Sequence, residues 1–148
     1  MAGGDQSSID QENASPQVIK IGAIYNLEGS QSSLDLPSAR GAQLAAKEIN
    51  AAGGIVDGKQ IDLILCDGRS DSAKVSECAQ SLIRENVSAM VGLSDTDMLL
   101  AALPFASSAG IPFVTSGATS PALAEEYDCL FLACFGDDVQ AAAGAEYA

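Results

Sequence analysis

Residues 61–93, IDLILCDGRSDSAKVSECAQSLIRENVSAMVGL, hold one complete strand–helix–strand unit. The run at 61–66 is short, apolar and closed by Asp67-Gly68, as expected of a strand buried on both faces. Over 71–86 the apolar residues Val75, Cys78, Ala79, Leu82 and Ile83 recur at i, i+3, i+4, i+7 and i+8, a stripe along one side of a helix. A second short apolar run follows at 89–93. Strands that alternate with helices in this way lie parallel to one another in a sheet that the helices cover.

The same alternation extends in both directions. Residues 19–25 (IKIGAIY) form a strand candidate, and 37–52 place Ala42, Ala45, Ala46 and Ile49 at helical spacing before the stop signal Gly53-Gly54. A helix over 97–109 should bend at Pro104, which lacks a backbone donor. Further strands are expected at 111–115 and 130–133. The expected fold is α/β: a doubly wound parallel sheet with helices on both faces, in three layers. Ligands of such sheets sit beyond the carboxyl ends of the strands, so the loops of interest are 26–36, 67–70, 94–97 and 116–120.

The 148 residues suffice for one domain, and with 47% apolar residues a core is within reach. Twenty acidic side chains against seven basic ones leave a formal charge of −13, which excludes a nucleic-acid partner. The chain has neither His nor Trp. Imidazole bases, Ser-His or Cys-His nucleophiles and His metal sites are therefore excluded, and no cofactor or metal is expected. The domain expectation is a polar, flexible leader over 1–17, a ligand-binding lobe over 18–136, and over 137–148 the start of a helix that ends without a C-cap, as in a chain cut short. The leader lacks the basic and apolar regions of a signal peptide, and no run is apolar enough to span a membrane.

Two loops carry candidate chemistry. Ser94-Asp95-Thr96-Asp97 opens the third helix: either Ser94 or Asp95 simply caps it, or its free N–H groups and the Thr96 hydroxyl hold a carboxylate. Thr115-Ser116-Gly117-Ala118-Thr119-Ser120-Pro121 either caps a short helix that starts at Pro121, or brings small residues and the Thr119 hydroxyl close to a ligand. Gly29-Ser30-Gln31-Ser32-Ser33 lacks both phosphate-loop spacings. Asp67 could resemble a phospho-acceptor, but the first loop lacks the acidic pair that would hold Mg²⁺. Cys129 and Cys134 flank one strand and lie roughly 16 Å apart, beyond disulfide reach. All four cysteines are expected to be thiols, with a Cys66–Cys78 bridge as the less favoured alternative.

Taken in order, IKIGAIYNLEG, ARGAQLAAKEINAAGGI (39–55), LCDGRSD, VGLSDTDMLLAALPFASSAGIPFVTSGATSPAL (91–123) and FLACFGDDVQ (131–140) resemble the N-terminal lobe of type I periplasmic solute-binding proteins, in particular the branched-chain amino acid (Leu/Ile/Val) binding family. The resemblance implies two lobes closing on a ligand. The first lobe would hold the α-carboxylate and α-ammonium through Thr96, Asp95, Gly117, Ala118 and Thr119. Leu34 stands where relatives place an aromatic ring against the ligand side chain, and Leu132 replaces a frequent Arg. A disulfide of some members would join Ser70 and Asp95 and is absent.

The resemblance implies the substrate-binding component of an ABC-type importer, taking an amino acid or similar small carboxylate and docking on a membrane permease in the full-length protein. Its location would be periplasmic or otherwise extracytoplasmic. Two alternatives stand beside it: a cytoplasmic ligand-sensing regulatory domain of the same fold, favoured by free thiols, and a small doubly wound enzyme or phospho-receiver. A lobe without its partner should bind weakly and expose an apolar patch through which it self-associates.

Overall fold

The computed structural model describes residues 18–148, so the expected leader lies outside the described residues. Five strands and five helices alternate: β1 (Val18–Tyr25), α1 (Ser32–Ala51), β2 (Gln60–Asp67), α2 (Ser72–Arg84), β3 (Ala89–Gly92), α3 (Thr96–Ser108), β4 (Phe113–Thr115), α4 (Pro121–Glu126), β5 (Leu130–Leu132) and α5 (Asp137–Tyr147). The strands form one sheet in the order β2-β1-β3-β4-β5, every neighbouring pair parallel. The chain therefore reverses its winding between β1 and β3, which is the topological switch point of the sheet.

Alternation along the strands divides the two faces. Ile24, Met90, Phe113 and Leu130 point to one side and join Val75, Cys78, Ala79, Leu82, Leu99, Leu103 and Ala106 of α2 and α3 in the main core. The larger of these side chains, such as Phe113, Leu99 and Leu103, contribute about 1.5–3 kcal/mol each when fully buried. Ala23 and Tyr25 point to the other side, where Ala39 of α1 packs on them with Ala42, Leu63, Leu65 and Val91 around the edge.

That second face is covered unevenly. Ala23, Val91, Val114 and Phe131 are neighbours in register across β1, β3, β4 and β5, so their side chains form one row. Ala23 lies under α1 and is fully buried, whereas Phe131 is 57% exposed. None of the α5 side chains is buried.

Two expectations are corrected. Helix α1 begins at Ser32 instead of residue 37, and Pro37 sits inside it. Pro at a helix start is a sound rule, but the N–H groups of Leu34 and Asp35 already bond the carbonyl of Gln31 at 3.1 Å, so the first turn forms five residues earlier. Second, Cys66 and Cys78 are joined in a disulfide, with Cα atoms 5.7 Å apart. Cys66 shares the sheet face of Ile64, and the apolar stripe of α2 turns Cys78 toward that same face. Cys129 and Cys134 remain thiols.

Candidate functional site

The carboxyl ends of β1 and β3 meet at Gly92, whose φ is +131° and where a Cβ would fall on the carbonyl of Ile24. Only glycine permits this close approach with that backbone. The loops that leave the two strands consequently start side by side, and a set of buried polar groups ties them together.

Asn26 and Asp35 are both fully buried. Asp35 Oδ2 accepts the backbone N–H of Asn26 at 2.8 Å and its side-chain Nδ2 at 2.9 Å. The other oxygen, Oδ1, accepts the N–H of Ser94 at 3.0 Å. Asn26 Oδ1 in turn accepts the N–H of Ser70 at 2.9 Å. The Ser70 hydroxyl donates to the Glu28 carbonyl at 2.8 Å and accepts the N–H of Gln31 at 2.9 Å. Asp67 Oδ1 completes the rim by accepting from Leu27 N and Arg69 N, both at 2.9 Å. Burial pushes the Tyr25 hydroxyl above its ordinary pKa, and the negative charge of Asp35 adds to that shift.

A second tie joins the loops after β3 and β4. The buried Thr115 hydroxyl donates to the Leu93 carbonyl at 2.6 Å and accepts the Ala118 N–H at 3.2 Å. Gly117 packs so tightly on Ser94 that a Cβ would stand 3.0 Å from Ser94 Cβ. Ser94 and Ser116 share a hydrogen bond of 3.3 Å between their hydroxyls. The turn carrying Thr96 and the turn carrying Gly117 and Thr119 are thus brought together at one rim. Thr96 and Thr119 are each half-buried.

The remaining predicted groups divide. Ala118 has its methyl in the core at 1% exposure. Its N–H goes to Thr115, and its carbonyl accepts from the Cys134 thiol at 3.4 Å. It therefore serves as a packed spacer and does not reach the rim, because the same turn that exposes Thr119 buries its neighbour. Leu34 stands on the first turn of α1 and is 54% exposed. Asp95 caps α3: its Oδ1 accepts the N–H groups of Asp97 at 3.0 Å and Met98 at 3.1 Å. The capping alternative at this turn is the one the structure displays, and two of the N–H groups that could have received a carboxylate are occupied. Leu132 lines a cleft of about 540 Å³ with Ala133, Cys134, Phe135 and Gln140 at the end of β5.

Sequence reasoning missed Asp35, Asn26 and Thr115. A Ser or Thr at a strand end and an Asp before a helix are usually exposed. In a helix that begins at Ser32, Asp35 lies one turn before Ala39 on the face that packs on the sheet, and that spacing is the signal that points inward.

Residues 18–148 match the family model described as "Periplasmic binding protein". Leu/Ile/Val-binding protein homolog 7 of Brucella suis biovar 1 (strain 1330) is 33% identical over 102 residues, covering 69% of this chain and 25% of that protein. Homolog 8 of Brucella abortus (strain 2308) is also 33% identical, with the same coverage. The chain thus spans about a quarter of the length of the curated relatives it matches. Among solved structures, the branched-chain amino acid transporter substrate binding protein LivJ from Streptococcus pneumoniae, in complex with isoleucine, superposes with a TM-score of 0.78 at 38% identity, over 82% of this chain and 35% of that one. An ABC transporter substrate-binding protein from Desulfitobacterium hafniense, in complex with Leu, gives a TM-score of 0.77 at 28% identity, over 88% and 38% of the two chains. The parallel sheet is that of a type I periplasmic binding protein lobe, and the chain belongs to the periplasmic binding protein family.

Proposed function

We propose that the chain is the ligand-binding lobe of a receptor that delivers an amino acid, or a similar small carboxylate, to an ABC importer and performs no catalysis itself. The observation that carries this reading is the packing of Gly117 against Ser94, which brings the turn that precedes Thr96 against the turn that leads to Thr119. In this proposal Thr96 donates to the ligand carboxylate beside the positive end of α3, while the Gly117 carbonyl and Thr119 hydroxyl receive the ammonium. Leu34 supplies apolar contact for the ligand side chain. The isoleucine and leucine complexes among the structural relatives support this ligand class.

The Cys66–Cys78 disulfide supports an oxidising, extracytoplasmic location. It also weakens the free-thiol argument for a cytoplasmic sensor, which is left with Cys129 and Cys134 alone. One lobe supplies one wall of a clamshell site, so its own affinity is modest. Titration of the ¹⁵N-labelled chain with L-isoleucine tests the proposal. Shifts confined to the Thr96, Gly117 and Thr119 amides are expected, with a dissociation constant weaker than micromolar. Absence of shifts at all three with L-isoleucine, L-leucine and L-valine would overturn it.

A further inference from the structure

We propose that Asp35 is a positioning residue of the ligand site: its carboxylate sets the register between the first turn of α1, which carries Leu34, and the turn that carries Thr96. The proposal rests on the assignment of Leu34 and Thr96 as ligand groups.

The geometry is that of a two-sided bracket. One oxygen takes both donors of Asn26, at 2.8 and 2.9 Å, and the other takes the N–H of Ser94 at 3.0 Å. The group is fully buried. No ion pair of Asp35 with Lys or Arg occurs among the described residues, so its charge rests on these three N–H donors and on the positive end of α1, where it occupies the first turn. Burying a carboxylate is costly, and an apolar side chain of similar size would fill the space at lower cost. An apolar side chain cannot, however, accept directed bonds from two loops at once.

Both loops carry a ligand group close to the bracket. Leu34 is the residue immediately before Asp35, and Thr96 is two residues beyond Ser94. Asn26 extends the bracket to the loop after β2 by accepting the Ser70 N–H. A displacement of either oxygen would therefore change how far the apolar group at Leu34 stands from the head-group donors at Thr96. Asp35 touches neither part of the ligand, being sealed beneath the rim.

The substitution Asp35→Asn tests this. An amide keeps the shape but offers one acceptor and one donor, so in either orientation it faces the Asn26 pair or the Ser94 N–H with an NH₂ group, and one arm breaks. In the ¹⁵N-labelled 148-residue chain, amide exchange at Ser94 or Asn26 is expected to accelerate about tenfold or more, the scale of a hydrogen bond to a charged group. With L-isoleucine and glycine as probes, the preference for isoleucine should fall by a similar factor while glycine still perturbs Gly117 and Thr119. Plain destabilisation lowers the melting temperature but leaves that preference unchanged in the folded fraction. A folded D35N chain with unaltered Ser94 and Asn26 exchange, or with the original preference, overturns the proposal. Should D35N fail to fold, D35E retains the charge one methylene further out and is read in the same two ways, with wild-type preference counting against the proposal. If the unsubstituted chain binds neither probe, the functional reading fails by itself, and the exchange data still decide whether Asp35 locks the two turns.

Discussion

Asp95 accepts the backbone N–H of Met98 at 3.1 Å with the same oxygen that accepts from Asp97, so the amino end of α3 already holds a carboxylate from its own chain. A ligand carboxylate at this end competes with that cap and meets its negative charge. Asp95→Gly frees both N–H groups at a cost of a few tenths of a kcal/mol in helix stability, because glycine is tolerated at this position. We expect affinity for L-isoleucine to rise roughly two- to fivefold, the usual worth of a charge at a helix end. Titration calorimetry or amide shifts measure it. A fall in affinity would overturn this expectation.

The Cys66–Cys78 bridge closes a loop with a sequence separation of 12, for which chain-entropy arguments assign about 3 kcal/mol. Reduction should therefore lower the melting temperature by roughly 10 °C in a chain of this size. Thiol titration of the denatured, unreduced protein should find Cys129 and Cys134 only. Four reactive thiols in material prepared under oxidising conditions would contradict the bridge.

What could be read from the chain follows how local each cause is. The stripe of α2 needs only the spacing of Val75, Cys78, Ala79 and Leu82, and all four are buried. The cap at Asp95 is likewise written in adjacent residues. The beginning of α1 is different. Pro37 marks a helix start by local rules, whereas the inward turn at Asp35 depends on Asn26 and on Ser94, which is 59 residues away. The disulfide was legible only as the less favoured alternative for the same reason: Cys66 and Cys78 face each other only once the strand has returned into the helix. That Thr96 and Thr119 follow the carboxyl ends of β3 and β4 was legible in the alternation of elements. The contact of Gly117 with Ser94 that joins their turns exists only in three dimensions.

The row Ala23–Val91–Val114–Phe131 ends on a ring that is 57% exposed, and α1 covers only its first member fully. Exposed apolar rows of this kind bind other apolar surface. The 148-residue chain should bind a hydrophobic dye while native, and its sedimentation coefficient should rise with concentration. Phe131→Ser should reduce both effects with little loss of stability, since half of the ring gains nothing from burial. Dye binding and sedimentation unchanged by the substitution would place the sticky surface elsewhere, with Phe135 at 75% exposure the next residue to test.

Tyr25 gives the chain an alkaline weakness. Its hydroxyl is raised above 10.0 by burial and by the negative charge of Asp35, so in the folded state it holds its proton to higher pH than in the unfolded state. Below pH 10 both states are protonated and the term is constant. As pH rises through 10, the unfolded chain ionises first and is stabilised, so folding stability falls until the folded group also ionises. Melting temperatures measured between about pH 8 and 11 should therefore drop more steeply for the native chain than for Tyr25→Phe, which lacks the titrating group and keeps the ring in its place under α1. Parallel curves for the two proteins would mean that Tyr25 ionises as readily when folded as when unfolded, and that Asp35 exerts no field on it.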